Sequence, residues 1–159
     1  MSDARYEDAQ FADRPLKIAA ADADDLQVIS TLVQDAVGLA ADIAWMPRRR
    51  RFVMLLNRFR WEDREAATRD RRSFERVRAA LVAEDVRRVR SQGLDPNDKD
   101  TVYSVLNLAF EPGEDGTGTI HVTLAGDGEL VLEVETLDLK LSDLTRPWQA
   151  RGAPDHGDP

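Results

Sequence analysis

Wherever this chain shows a hydrophobic period after Gly38, that period is two. Only one earlier segment has the helical spacing. Leu26, Ile29, Val33 and Ala36 recur at i, i+3, i+7 and i+10, one stripe of a 3.6-residue repeat. Asp22, Asp24 and Asp25 supply an N-cap and first-turn carboxylates suited to the positive end of a helix dipole, and Gly38 stands where a C-cap belongs. The spacing predicts a helix over 24–37. With no further helices to carry crossovers, a doubly wound parallel sheet is excluded.

Most other segments carry strand patterns. Leu16 to Ala21 alternates weakly and predicts a short first strand. Residues 43–46 and 52–59 flank Pro47 and Arg48–Arg51, a polar hairpin connection. Phe52, Met54 and Leu56 share one face of the second of these strands, and Val53, Leu55 and Phe59 take the other, as in a central strand covered on both sides. The segment 62–74 is highly charged without a consistent period and reads as a solvated loop. Val77, Ala79 and Leu81 alternate with polar neighbours, and the pattern slips at 83–85 before Val86 and Val89, which calls for a bulge or a break. Residues 102–110 form another strand, closed by Pro112 and Gly113. Ile120, Val122 and Leu124, then Leu130, Leu132 and Val134, alternate on either side of Gly126-Asp-Gly128, a strong hairpin signal. Leu137, Leu139, Leu141 and Leu144 fit either an extension of that last strand or a closing turn. The expected fold is α+β: a mostly antiparallel meander of about seven strands, open or curled toward a barrel, with one N-terminal amphipathic helix.

At 159 residues the chain has the length of one domain. Residues 1–14 are expected to be a mobile arm, 15–148 the single domain and 149–159 a flexible tail. The N-terminus is polar and acidic, lacking the basic start and apolar core of a secretory signal. No run approaches the ~18 apolar residues of a membrane span, so a cytoplasmic location is expected. The chain has no cysteine, which removes disulfides, thiolate metal sites and a cysteine nucleophile.

The remaining chemistry-bearing residues favour structural readings. His121 lies between Ile120 and Val122 and so points to the solvated face. Residues 95–100 resemble a calcium loop only superficially, because Lys99, Asp100 and Leu106 stand where an oxygen ligand, a glycine and a bidentate glutamate are required. The glycines at 113, 116 and 118 lack the Gly-Lys-Ser/Thr of a phosphate loop and precede a strand. Glu133 and Glu135 share one exposed strand face, whereas acid–base carboxylates need unequal, partly buried surroundings. No catalytic residue, cofactor or metal site is expected.

Charge distribution is more informative. The chain carries −8 overall, yet residues 44–90 hold 15 arginines against 7 acids, and the remainder is −16. Arg48, Arg49, Arg50, Arg51, Asn57, Arg58, Arg60 and Trp61 are therefore the candidate ligand or partner contacts, since guanidinium beside aromatic rings suits phosphates and stacked bases. The competing reading pairs these arginines with acidic strands of the same chain or of a second copy, with Arg76 and Arg78 opposite Glu129, Glu133 and Glu135 as the model of such pairing. The overall negative charge opposes a polyanionic partner.

Pro15-Leu-Lys-Ile, Asp24-Asp-Leu-Gln-Val-Ile-Ser, Trp45-Met-Pro-Arg, the run Phe52 to Phe59 and Trp61-Glu together resemble the bacterial domain-of-unknown-function 2948 family over 15–156. The resemblance implies a small cytoplasmic protein and carries no activity or site residues with it; within it, Asn57 and Trp61 are the non-core positions of interest. The expected role is a non-enzymatic structural or protein-interaction module that self-associates as a homo-oligomer. The alternative is an RNA- or phosphate-ligand-binding module using the central arginines.

Overall fold

The computed structural model describes residues 15–63, 69, 75–95, 97–145 and 148–149. The arm expected at 1–14, most of the loop expected at 62–74 and nearly all of the expected tail lie outside them.

Helix α1 (Ala23–Leu32) is capped by Asp22, whose carboxylate accepts the Asp25 N–H at 2.8 Å. Leu26, Ile29, Val33 and Ala36 are all fully buried, so the stripe is real. The helix nevertheless stops about a turn before the expected 37. Asp35 turns the chain at φ 63°, its N–H donates to Val105 O, and Ala36 O accepts the Val105 N–H. These tertiary bonds capture the backbone where the helix would otherwise continue. Gly38 is accordingly a strand residue, not a C-cap.

Eleven strands follow the chain order: β1 (Lys17–Ala20), β2 (Val37–Leu39), β3 (Ile43–Met46), β4 (Arg51–Phe59), β5 (Glu75–Ala83), β6 (Val86–Gln92), β7 (Val102–Pro112), β8 (Gly118–Leu124), β9 (Gly128–Val134), β10 (Leu139–Asp143) and β11 (Trp148–Gln149). They form one antiparallel sheet in the order β1-β10-β5-β4-β2-β7-β8-β9-β6, with β3 also on β4 and β11 on β5. The α+β class and the open sheet stand, but the expected seven strands are too few and the path is not a simple meander. The apparent strand over 76–89 is two strands, because Asp85 at φ 57° turns the chain between β5 and β6. The leucine run at the end supplies β10, a separate strand between β1 and β5.

β2 joins the two halves of the sheet, Val37 pairing with both Asn57 of β4 and Ser104 of β7. The sheet curls so that its halves face each other: Met54 and Leu81 from one half meet Ile120 and Leu132 from the other in a single core. The hairpins read from turn chemistry are present, including β8–β9, turned by Gly126 and Asp127 at φ 78° and 64°.

Candidate functional site

The parity of β4 decides where its arginines go. Phe52, Met54, Leu56, Arg58 and Arg60 all alternate onto the buried face. Arg58 is 0% exposed. Its Nε and Nη2 donate to the two Asp143 oxygens at 2.9 and 3.0 Å, Nη1 and Nη2 donate to the Glu62 carboxylate at 2.9 and 2.8 Å, and Nη1 donates to Phe59 O. All five N–H donors of the guanidinium are thereby used. Burial works against the charge of Arg58, but the hydrogen bonds to Glu62 and Asp143 outweigh it and raise the pKa above the ordinary arginine value. Glu62 answers in kind: its partial burial would raise its pKa, and the Arg58 hydrogen bond lowers it instead.

The other candidate contacts are scattered. Arg60 pairs with Glu75, and Arg51 pairs with Glu84 at 2.9 Å. Arg50 pairs with Glu135 at 2.6 Å, a contact that raises the arginine's pKa and lowers the glutamate's. Asn57 is half-buried between Val37 and Arg78 in the sheet. Trp61 lies 5.4 Å from the Phe59 ring and donates its indole N–H to Gln34 O at 2.9 Å. Arg48 and Arg49, at the β3–β4 turn, are exposed and have no ion pair among the described residues.

Charge pairing inside the chain takes up much of the segregation, though Glu133 and Glu135 pair with other arginines than Arg76 and Arg78. Arg76 stacks over the Phe59 ring at 4.5 Å, and Arg78 meets Asp42. Glu133 is shared by Arg88 and Arg90, and Glu135 by Arg50 and Arg87. His121 is on the outward face as its parity predicts, between Glu111 and Glu129.

The feature that the arginine pattern did not announce is a cleft of about 390 Å³. One wall is Ile43 and Trp45 of β3, the other Val89 and Ser91 of β6, and the floor is Phe52 and Leu130. It lies where the curled sheet brings β6 back beside β3 without pairing to it. At one end β6 is tied to the β3–β4 turn, where the Val86 N–H donates to Arg50 O at 2.9 Å; Ala40 and Leu94 mark the other. Among the described residues β3 pairs only with β4, and β6 only with β9. Beyond Val86, no backbone hydrogen bond among the described residues joins either strand's outer edge to a neighbour. The sequence signals for this cleft were slight: the off-parity Val89, and an apolar run at 43–46 too short to be central.

Fold and cleft together define a small α+β protein with an incompletely closed antiparallel sheet and an apolar seam. The chain belongs to the family described as protein of unknown function (DUF2948), which it matches over residues 16–156. No curated protein and no solved structure matches it. No helix among the described residues is long and apolar enough to cross a membrane.

Proposed function

We propose that this protein is a non-enzymatic protein-interaction module that receives an extended segment in the cleft between β3 and β6. The observation that carries this reading is the pair of strand edges, free of backbone partners among the described residues, on either side of an apolar seam. An added strand satisfies such edges with main-chain hydrogen bonds, and alternate side chains enter the pocket between them. The volume lies within the ~300–1,000 Å³ of ordinary binding sites, and its apolar walls with one hydroxyl at Ser91 suit aliphatic groups. Self-association through the same seam is the competing form of the module.

The RNA- or phosphate-binding alternative draws on Arg48 and Arg49 alone, since Arg50, Arg51, Arg58 and Arg60 already face carboxylates. A steep loss of RNA retention on filters with rising salt is its signature.

The test of the module is selection of displayed peptides against the purified chain, with a Ser91→Phe variant as control. Ser91 is exposed at the cleft wall, so the phenyl group fills the seam without entering the core. Selected peptides are expected to bind the native chain and to weaken at least tenfold on the variant. Selection that yields only peptides indifferent to Ser91→Phe overturns the reading.

A further inference from the structure

We infer that the cleft takes an extended segment of another protein in which acidic and aliphatic residues alternate. The inference rests on the interaction reading above and adds the chemistry of the occupant.

The alternation follows from the pleat of β6. Val89 points into the cleft, so Arg88 and Arg90 stand on the opposite, outer face, their side chains 67% and 58% exposed. A strand laid along Arg88–Gln92 has the same period. Every second residue enters the seam beside Val89, Ser91 and Trp45, where only an apolar group is well solvated by its surroundings. The residues between them lie on the outer face beside Arg88 and Arg90.

Arginines outnumber carboxylates along this stretch of the outer face, where Glu129, opposite Gln92, lies against His121. Arg88 and Arg90 share Glu133, with Nε 3.9 and 3.7 Å from its nearest oxygen, and Arg50 and Arg87 share Glu135. Four guanidinium groups thus meet two carboxylates. Arg48 and Arg49 add two more cations at the closed end, with no ion pair among the described residues. Opposite charges directly across a strand pair are favourable and like charges are not. At the far end, beyond Leu94, the turn carries Asp95, Asp98 and Asp100. The acidic positions of the occupant are therefore confined to the stretch beside Arg88 and Arg90.

The same charges argue against a second copy. Among the described residues its free sheet edges include β6, with these same arginines, β3, which has no charged residue, and β1, whose one charged residue is Lys17. None of these brings a carboxylate to the outer face. A small apolar molecule fills the seam but leaves the backbone groups of both edges without partners.

The decisive experiment titrates the isotope-labelled full chain with two capped octapeptides, one alternating Glu and Val and the other Lys and Val. It reads the amide resonances of Ile43–Met46 and Arg88–Gln92 and the Trp45 indole N–H. The Glu–Val peptide is expected to shift these resonances and to bind about tenfold more tightly than the Lys–Val peptide. This preference weakens as salt is raised. In the double variant Arg88→Glu/Arg90→Glu, both exposed positions, the preference is expected to invert. Equal binding of the two peptides, unchanged by the charge swap, overturns the acidic occupant while leaving the interaction reading standing. Failure of both peptides, when peptides from the library selection do bind at Ser91, overturns it in the same way. Failure of both, together with a failed selection, removes the interaction reading as well. Concentration-dependent shifts at the same resonances without any peptide replace the foreign segment with a second copy.

Discussion

Arg58 on β4 and Asp143 on β10 make a two-pronged ion pair at 2.9 and 3.0 Å even though β5 lies between their strands. The Arg58 and Asp143 side chains together bridge two strand spacings, about 10 Å, across the inner face of β5. Arg58 is opposite Val77, and Asp143 is opposite Ala79. The small side chain of Ala79 leaves a passage there. Asp143 also accepts the Leu16 N–H at 2.9 Å, so one carboxylate links β4, β10 and the start of β1.

Removing one side of this pair costs more than replacing the charge. Asp143→Ala strands a buried guanidinium and is expected to lower stability by about 3–5 kcal/mol, whereas the double variant Arg58→Met/Asp143→Leu, which removes both buried charges together, is expected to cost far less. Urea unfolding monitored by circular dichroism gives both values. Equal losses would show that the charge itself is not the issue.

Acid weakens the same cluster. The Glu62 pKa is lowered from 4.5 in the folded chain, so the folded state binds fewer protons than the unfolded one around and below that value. The stability Glu62 contributes is complete above pH ~5 and is lost as pH falls through its folded pKa. Glu135, lowered by Arg50, acts in the same sense but is solvent-exposed and adds little. Urea midpoints from pH 7 to pH 3 are expected to fall below about 4.5. Glu62→Gln is expected to start lower at pH 7 and fall less steeply.

Gly38 is needed for close approach and not for a turn. A Cβ there would meet the Tyr103 ring and hydroxyl and come 2.8 Å from Leu55 O, the carbonyl that accepts the Tyr103 O–H at 2.9 Å. Gly38→Ala is expected to cost about 1–3 kcal/mol, and Tyr103→Phe about 1 kcal/mol for the lost hydrogen bond. Because removing the hydroxyl also relieves part of the clash, the double variant should be less unstable than the two losses added. Thermal denaturation of the four chains closes the cycle.

Amide exchange reads the free edges directly. Apart from Ile43 and Val86, whose N–H groups donate to Ala40 O and Arg50 O, amides of β3 and β6 that point away from β4 and β9 are expected to exchange near the rate of unprotected peptide, while those of β8, bonded on both sides, are protected. Equal protection of the β6 edge would mean that the seam is already filled.

Much of this fold could be read from spacing. The stripe from Leu26 to Ala36 is buried throughout, and the β8–β9 hairpin follows its turn residues. What escaped was non-local. β2 has three residues, too few to display a period, yet it joins the halves of the sheet. Val33 and Ala36 carry helical spacing past the end of the helix because β7 holds the backbone there. On β4, extending the parity of Phe52, Met54 and Leu56 by one step places Arg58 inside, where charge would not be sought without knowing of Asp143. The cleft depends on β6 returning beside β3 after a path through β9, β8 and β7, which no local pattern encodes.

The clasp of β1 by β10 bears on how the chain matures at the ribosome. Among the described residues the only sheet neighbour of Lys17–Ala20 is β10 (Leu139–Asp143), and Asp143 is one of the two counter-charges of Arg58. Until residue 143 has emerged, the nascent chain has an edge without its strand and a core arginine with Glu62 but without the second of its two carboxylates. The native sheet therefore closes from its C-terminal side, only once residues 139–143 are available to enter between β1 and β5.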